Sequence, residues 1–442
     1  MTPIRAVRKN SARETARPAK ARFLTLGAAP RPSGGTANGR LIPNSTRPVK
    51  TGSIRAVSLF SGAGGFCEGA RLAGWHIECA VESDKRACAT YAANFDDVPL
   101  FKGDIAHFLN VPVAGVPTLE ELVARQIDVV YGGPPCQGFS QIGPRDPNDL
   151  RNRLYLEFVS VVRQLQPRAF VMENVPNMLA MDNGRFKASI LNAFHSAGFE
   201  RTAIIPITAS DYGVPQRRRR IFIFGIRDGL HFRGDLQSAV QSLLDKQKAA
   251  KLVTVWQALS DLPEEVSDND GPLPYPKTRG AYSSYQNLMR LDRDHELLTK
   301  EAKRSSLCSV ALHNHHTKNI EQRRKKIIAA LAPGARGDSL PPSLWNGSRE
   351  HKWRRLDPDK PSYTILAQMH RDLSEWIHPT FNRWITVREA ARLQSFHDGF
   401  VFVGSELQQL KQVGNAVPPL MALAVARATS ALLRRLRASA GH

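Results

Sequence analysis

Cysteine is scarce in this chain, and the few cysteines present do not pair by spacing. Five cysteines occur among 442 residues, and they form neither a CxxC motif nor an even framework. A disulfide scaffold is therefore not indicated, and we expect a reducing compartment. Long apolar runs are also lacking, and no stretch typical of a signal peptide follows Met1. These features predict a soluble, intracellular protein without a membrane partner.

Acidic residues are few beside basic ones, which gives the chain a net charge of +21. Residues 1–50 contain eleven Lys or Arg and one acid, Glu14, so they carry +10 and the rest of the chain carries +11. The first segment is rich in Pro, Gly, Ala and Ser, which predicts a disordered basic tail over residues 1–53. An organelle transit peptide has a similar composition and stays open as an alternative. The basic body favours a polyanionic partner, with nucleic acid first.

Between residues 55 and 225, short apolar runs alternate with stretches of helical periodicity. This alternation predicts an α/β fold with a doubly wound, Rossmann-like parallel sheet. We expect a first domain over residues 54–227 and a smaller irregular domain over 228–404, which includes a helix at 386–396. The segment 405–442 is expected to return to the first domain with an amphipathic helix at 420–436. Strands are predicted at residues 56–60, 77–81, 127–131, 169–173, 204–207 and 221–226.

The most informative stretch is Gly-Pro-Pro-Cys-Gln-Gly-Phe-Ser at residues 133–140. It follows the predicted strand at 127–131, and the Pro-Pro pair cannot continue a ladder of hydrogen bonds. Cys136 is therefore expected just beyond the carboxyl end of a strand, at the edge where open α/β sheets bind ligands. The alternative is a core cysteine, which would suit apolar neighbours better than Pro, Gly, Gln and Ser.

A glycine-rich turn at residues 60–66 follows the first predicted strand and begins a helix. Such a turn lets the backbone approach a ligand closely. Glu82 lies twenty positions after Gly62, at the end of the second strand, where a carboxylate can accept hydrogen bonds from both ribose hydroxyls. Asp104 is a candidate contact for an adenine amino group. NAD and S-adenosylmethionine both fit these residues, and Cys136 favours the second because hydride transfer needs no thiol at this edge.

Eight separate blocks of the sequence follow the order found in one known family. They are residues 60–66, 82, 103–105, 133–140, 173–175, 216–220, 388–394 and 414–417. Together they resemble the DNA (cytosine-5)-methyltransferases of prokaryotic type, over about residues 54–430. Two positions depart from the family pattern: Ser83 replaces a larger residue and His397 replaces a proline. The resemblance implies an S-adenosylmethionine-dependent methyltransferase domain with a smaller target-recognition domain. It also implies a cofactor site formed by Phe60, Gly62, Gly64, Gly65, Glu82, Asp104, Ile105, Pro135 and Asn415.

The expected chemistry begins with a weak nucleophile, C5 of cytosine. A thiolate that adds at C6 makes C5 enamine-like, so Cys136 is the predicted nucleophile. By resemblance, Glu173 hydrogen-bonds N3 and the exocyclic amine, Arg218 holds O2, and Arg220 fixes the nucleophile loop. The sequence does not identify the base that removes the C5 proton.

None of these groups can reach a base inside a duplex, so the target cytosine must be flipped out. By resemblance, the loop at 141–153 closes over the DNA, and Gln141 or Ile142 fills the vacated stack. The region 228–383 corresponds to the family's variable recognition region, whose Arg and His residues would contact phosphates and base edges. Cys308 and the histidines at 313, 315 and 316 match no common zinc spacing, so we predict no metal site.

Two other functions compete with the leading interpretation. A tRNA methyltransferase of the same chemistry fits the catalytic blocks, although that branch tends to have its own Cys-Phe-Thr signature, which this sequence lacks. A non-catalytic DNA-binding relative is disfavoured, because Cys136, Glu173 and Arg218 are all present. We expect a monomer that acts on double-stranded DNA in the bacterial cytoplasm, near the nucleoid. A cognate restriction endonuclease and a solitary role both stay open.

Deletion of residues 1–50 is predicted to weaken DNA binding at low salt while target sequence and turnover stay almost unchanged. The segment carries charge without the structure needed to distinguish bases, so its contribution should be screened by salt. Binding and methylation-site profiles of the truncated and full-length proteins test this. Altered target specificity after truncation would contradict the prediction.

Overall fold

Seven strands form the central sheet in the computed structural model of the chain. The structure describes residues 53–135, 154–267, 271–276, 282–290, 311–347 and 352–438. The strands of this sheet are β1 (Arg55–Leu59), β2 (His76–Glu82), β3 (Leu100–Lys102), β4 (Val129–Gly132), β5 (Ala169–Asn174), β6 (Arg201–Thr208) and β8 (Arg219–Ile226). Their order across the sheet is β3-β2-β1-β4-β5-β8-β6. Shorter strands are β7 (Gln216–Arg217), β9 (Leu230–His231), β10 (Leu273–Pro274), β11 (Ala311–Leu312), β12 (Ser362–Tyr363) and β13 (Arg437–Ala438).

Helices cover both faces of the sheet and continue into the region after residue 228. They are α1 (Gly65–Leu72), α2 (Lys85–Asn94), α3 (Leu119–Ala124), α4 (Leu154–Leu165), α5 (Arg185–His195), α6 (Leu236–Asp245), α7 (Val255–Leu259), α8 (Ser284–Met289), α9 (Gln322–Ala330), α10 (Val387–Leu393), α11 (Glu406–Asn415) and α12 (Pro419–Leu433). Short 3₁₀ helices lie at Ile105–His107, Pro176–Gly184, Ala209–Tyr212, Gly337–Ser339, Ala367–His370 and Leu373–Glu375. The two core clusters of the described residues lie on opposite faces of the sheet, as the doubly wound prediction requires.

All six predicted strands are present, but one of them runs in the opposite direction to the expected one. The pairs between β3, β2, β1, β4 and β5 are parallel, whereas β8 is antiparallel to both β5 and β6. Only residues 209–218 connect β6 to β8, and a parallel return needs a crossover of about a dozen residues or more. The all-parallel prediction is therefore wrong at this edge. The three-residue β3 has too little pattern to be predicted.

The predicted helix at 386–396 is α10, and Thr386 forms a capping box with Glu389 at its start. The helix that the sequence placed at 420–436 is α12, which packs on α1 of the first domain. Gly69 allows this contact, because a Cβ there would lie 2.5 Å from the Leu423 backbone nitrogen. The amphipathic prediction is wrong, since α12 is buried on nearly every side.

One segment in the described part of the chain is long and apolar enough to span a membrane by composition alone. It is Glu406–Leu433, whose most apolar window is 83% buried inside the fold. It comprises α11 and α12, and residues 416–418 between them are not helical. The burial is that of core helices in a globular fold.

A buried ion network joins α10 to the irregular region before it. Arg392 is fully buried and pairs with Asp398 at 2.6 Å and with Asp261. Arg290 binds Asp261 through Nε at 2.6 Å, and its guanidinium lies over the Tyr275 ring. Because Arg392 and Asp261 are 131 positions apart in sequence, this network holds distant parts of the irregular region together.

Replacing Asp398 with Asn is predicted to lower the free energy of unfolding by about 3–5 kcal/mol, because it leaves the Arg392 charge buried with too little compensation. Asp245→Asn is the matched control, since its ion pair with Lys248 is half exposed on both sides and should contribute little. Denaturant unfolding of the two variants tests the difference. Equal stabilities would contradict it.

Candidate active site

The predicted site residues that the structure describes gather at the carboxyl edge of the sheet. The ends of β1, β2 and β4 meet there, because these strands are parallel and adjacent. A Cβ on Gly132, at the end of β4, would lie 2.0 Å from the Leu59 carbonyl oxygen at the end of β1. The edge is thus closely packed where the sequence predicted a ligand.

Backbone amides hold the Glu82 carboxylate in place. Gly62 donates its N–H to Oε2 at 2.7 Å, while Ser83 and Asp84 donate theirs to Oε1 at 2.8 and 2.7 Å. A carboxylate offers about four acceptor positions, so three are used and one on Oε2 stays open. The carboxylate is thus held in a fixed orientation with an acceptor position open for a ligand hydroxyl.

The glycines of the turn after β1 are needed for different structural reasons. Gly64 has a φ of +102°, and a Cβ there would lie 2.3 Å from the Phe95 ring. A Cβ on Gly65 would lie 2.3 Å from the Val417 carbonyl oxygen. Phe60, which is not a glycine, has a φ of +52°. A bulky residue in this conformation costs on the order of 1–3 kcal/mol, and such strain is concentrated at functional sites.

The other predicted cofactor residues lie near the same edge, with varied exposure. Asp104 is exposed and caps a 3₁₀ turn by accepting a hydrogen bond from the Ala106 amide at 3.0 Å. Ile105 is buried, and Pro135 is half-buried after β4. Asn415 is exposed at the end of α11, directly before the Ala416–Val417 segment that contacts Gly65.

Glu173, at the end of β5, lies against the start of the nucleophile segment. Its side chain is 13% exposed, and its Oε1 is 2.9 Å from Nε of Arg220. A Cβ on Gly133 would lie 2.7 Å from Glu173 Oε2, so the carboxylate would have to shift to make room for one. Burial raises the pKa of Glu173, although the charges of Arg220 and Arg218 oppose the shift. The carboxyl group is therefore easier to protonate than one in water.

The two predicted arginines of the 216–220 block make different contacts. Arg218 is fully buried and donates from Nη1 to the Ile365 carbonyl at 2.8 Å and from Nη2 to the Gly414 carbonyl at 2.9 Å. These bonds direct both Nη atoms to backbone carbonyls, while the buried Nε has no hydrogen-bond partner among the described residues. Arg220 pairs with Glu173, and the loop that it was predicted to fix lies outside the described residues. Of the two arginines, Arg220 therefore contacts the Glu173 carboxylate directly.

Three residues that the sequence analysis did not single out hold the site together. Asn174 donates to the Pro134 carbonyl at 3.1 Å and so fixes the strand end to the segment that leads to Cys136. Gln216 is fully buried, donates to the Gln394 side chain at 2.9 Å and accepts from the Ile365 amide at 2.9 Å. Asn174, Gln216 and Gln394 all lie inside the sequence blocks already noted, but only their contacts show what they do.

Several predicted features lie outside the described residues. They are Cys136, Gln141, Ile142, the rest of the loop at 141–153, Cys308 and the tail at 1–50. Within the described residues, both ring nitrogens of His315 have polar neighbours: Pro263 O at 3.0 Å and Thr386 Oγ1 at 3.1 Å. Burial lowers the pKa of His315.

His397, one of the two departures from the family pattern, contacts the helix that follows the cofactor turn. Its Nε2 is 3.3 Å from Glu68 Oε1 on α1, and Glu68 also pairs with Arg71 at 2.6 Å. Burial raises the pKa of Glu68, but these neighbours lower it to about 2. A proline at position 397 could not make this contact. Ser83, the other departure, is exposed and donates its backbone N–H to Glu82.

Residues 54–431 match the sequence model of the C-5 cytosine-specific DNA methylases, which covers nearly all of the described fold. The chain belongs to this family. The enzyme is therefore a DNA cytosine-5 methyltransferase, as its sequence blocks predicted.

Individual relatives agree with this membership. The enzyme is 34% identical to the type II methyltransferase M.AgeI of Thalassovita gelatinovora, over 84% of this chain and 98% of that protein. It is also 34% identical to M1.HphI of Haemophilus parahaemolyticus, over 85% of this chain and 86% of the relative. A solved structure described as a candidate DNA modification methyltransferase of an E. coli prophage superposes with a TM-score of 0.67 at 28% identity, covering 86% of this chain and all of the other.

A more distant structure supports the fold alone. The Dnmt2 methyltransferase of S. pombe superposes with a TM-score of 0.51 at 16% identity, over 86% of this chain and 98% of that one. The Rossmann-like methyltransferase fold predicted from the sequence is thereby confirmed.

Replacing Gly133 with Ala is predicted to lower methylation turnover by about 100-fold, because the new Cβ displaces the Glu173 carboxylate and misplaced catalytic groups lose this much. Gly271→Ala is the matched control, since among the described residues a Cβ there would meet nothing closer than Ser267 Oγ at 3.8 Å. Initial rates at saturating DNA and methyl donor test this. A Gly133→Ala enzyme with wild-type turnover would show that the Glu173 position is not critical.

Proposed function

We propose that the enzyme methylates C5 of a cytosine that is flipped out of double-stranded DNA, through a covalent bond between Cys136 and C6. The observation that carries this proposal is the position of Glu173. It is a largely buried carboxyl group with a raised pKa, which pairs with Arg220 and lies against Gly133, three residues before the thiol.

The methyl donor is proposed to be S-adenosylmethionine, which would supply the methyl group from its sulfonium centre. The turn at 60–66 and the open acceptor position of Glu82 fit the backbone and ribose of such a molecule. Asp104 offers a free, exposed carboxylate edge for an amino group, and Asn415 stands exposed beside the same turn. Asp104, Ile105, Pro135 and Asn415 complete the proposed cofactor site.

In the proposed reaction, the Cys136 thiolate forms a bond to C6 while the ring electrons move toward C5 and N3. Glu173 donates a hydrogen bond or a proton to N3, which its raised pKa favours. Arg220 is the proposed partner for O2, and Arg218 is proposed as a positioning residue. After C5 is methylated, loss of its proton and elimination of the thiolate restore the ring and free Cys136.

The other described cysteines support this choice by contrast. Cys67, Cys79 and Cys88 are all buried, and burial raises the pKa of each thiol, for Cys88 to about 11. A thiol with a raised pKa supplies little thiolate at neutral pH and is a poor nucleophile. Cys136 stands in a Pro- and Gly-rich segment at the ligand edge instead.

The region 228–404 is proposed as the target-recognition domain, and the loop at 141–153, with Gln141 or Ile142, as the segment that replaces the flipped base. The named relatives are type II methyltransferases. We propose that this enzyme likewise protects DNA from a cognate restriction endonuclease, as a monomer in the bacterial cytoplasm at the nucleoid.

Duplex DNA that carries 5-fluorocytosine in the target is predicted to form an adduct with the enzyme that survives denaturation, because fluorine at C5 cannot leave as a proton. Cys136→Ser should form no adduct and should methylate at less than a few per cent of the wild-type rate, since its alkoxide is scarcely available. Cys88→Ser and Cys308→Ser are the controls and should keep the adduct. An adduct that persists in Cys136→Ser would overturn the nucleophile assignment.

A further inference from the structure

Four buried polar side chains form a continuous line from β4 to the turn that follows β1, and no step of the proposed reaction uses them. They are Ser58 on β1, Ser61 in the turn, Cys67 on α1 and Tyr131 on β4. The Tyr131 hydroxyl donates to Cys67 Sγ at 3.2 Å, and this thiol donates to Ser58 Oγ at 3.1 Å. Ser58 Oγ is in turn 2.8 Å from Ser61 Oγ. We call these four side chains the polar network.

The donors and acceptors of the polar network follow one another in a single direction. The Ser61 hydroxyl donates to the Ser58 carbonyl at 3.2 Å, which leaves the Ser58 hydroxyl as the donor to Ser61 Oγ. Burial raises the pKa of the Cys67 thiol, so the thiol keeps its proton and can donate to Ser58. Loss of Cys67 would therefore leave the buried Tyr131 hydroxyl without this acceptor and Ser58 without this donor, which is unfavourable in a core.

The last link of the polar network spans the strained part of the turn. Ser58 and Ser61, the serine pair, flank Leu59 and Phe60, and Phe60 has a φ of +52°. Two hydrogen bonds close this segment, one between the two hydroxyls and one from the Ser61 hydroxyl to the Ser58 carbonyl. A residue keeps a strained conformation only where the contacts around it hold it. The serine pair supplies such contacts on both sides of Phe60.

The same turn orients the carboxylate proposed to bind the ribose. Ser61 donates its N–H to the Val81 carbonyl at 3.0 Å, and its own carbonyl accepts from the Gly64 amide at 3.0 Å. The next amide in sequence, that of Gly62, donates to Glu82 Oε2 at 2.7 Å. A shift of Ser61 would therefore move the amide that orients the Glu82 carboxylate.

At its other end, the polar network is anchored in the strand that leads to the proposed nucleophile. Tyr131 stands five residues before Cys136. Its ring packs against Phe66 of α1, with the centroids 4.7 Å apart, and against Trp75, with the centroids 5.6 Å apart. Two aromatic rings thus hold the tyrosine while its hydroxyl contacts the Cys67 thiol. One sulfur atom therefore connects a rigid part of the core to the turn.

We propose that Cys67 is a positioning residue for the methyl donor, because it connects Tyr131 to the serine pair and so holds the turn at 60–64 in the conformation that binds. This inference rests on the proposed S-adenosylmethionine site and adds to it a buried side chain that sets affinity from inside the core. It also requires the members of the polar network to act as a unit, so their substitutions should not be additive.

Cys67→Ala tests this role through the binding of S-adenosylmethionine to the enzyme without DNA, measured by isothermal titration calorimetry. The dissociation constant should rise about tenfold, which equals about 1.4 kcal/mol and is the size of one buried hydrogen bond. KM for the methyl donor should rise by the same factor while kcat does not fall, as for an interaction made equally in the ground and transition states. Cys67→Ser keeps one donor and one acceptor and should restore most of the affinity.

Cys79→Ala is the matched control. Cys79 is also fully buried, on the strand that ends at Glu82, and its thiol forms no hydrogen bond within the part of the chain that the structure describes. Both alanine variants leave a cavity and should lower the free energy of unfolding in denaturant. Only Cys67→Ala should lose affinity for S-adenosylmethionine. Equal losses of affinity in the two variants would mean that packing alone is responsible, and would overturn the proposal.

Tyr131→Phe provides a second test that removes one hydroxyl and creates no large cavity. It should weaken binding of S-adenosylmethionine, and adding Cys67→Ala to it should weaken binding little further, because both changes break the same connection. Tyr212→Phe removes the hydroxyl of another buried tyrosine, outside the polar network, and should keep the wild-type affinity. Wild-type affinity in Tyr131→Phe, or fully additive losses, would contradict the proposal. A wild-type enzyme that binds no S-adenosylmethionine would instead overturn the proposed methyl donor, and this inference with it.

Discussion

The fully buried guanidinium of Arg218 is the contact on which the arrangement of the active site depends. It belongs to the segment that begins β8, yet its two Nη atoms bind carbonyls of Ile365 and Gly414, which lie 147 and 196 residues later in the chain. One side chain thus joins the central sheet to the irregular region and to the end of α11. Removal of this guanidinium would leave two buried carbonyls without donors, and each such loss costs about 1–3 kcal/mol.

Arg218 and Arg220 make different contacts because they lie at different places in the fold, which their spacing in the sequence does not show. Arg218 and Arg220 are two residues apart, so they point to the same side of an extended chain. Arg220 stands where β8 pairs with β6 and reaches Glu173 at the end of β5. Arg218 lies just before β8, where its Nη1 donates to the Ile365 carbonyl. A pattern of alternating arginines does not distinguish these two environments, and the assignment of O2 to Arg218 in the sequence analysis came from the family resemblance.

The parts of the fold that follow from local pattern could be predicted from the sequence, and the parts set by distant contacts could not. Six strands and the capping box at Thr386 carry their own periodicity and cap chemistry. The direction of β8 was also available in principle, from the short connection at 209–218. By contrast, the close approach of Gly133 to Glu173 depends on where two separate strand ends meet. No local signal marks it, since a glycine after a strand is equally consistent with an ordinary turn.

The environment of Glu173 reconciles two demands that oppose each other. A carboxyl group that donates to N3 must keep or readily gain a proton, which burial favours by raising the pKa. In the proposed reaction the same group must also stay fixed in position, which the 2.9 Å contact with Arg220 favours while it lowers the pKa. Burial exceeds the effect of the arginines, so the carboxyl group is easier to protonate than one in water. Because a Cβ on Gly133 would lie 2.7 Å from Glu173 Oε2, the segment that leads to Cys136 and the Glu173 carboxyl group share one packing contact, on which the proposed roles of both depend.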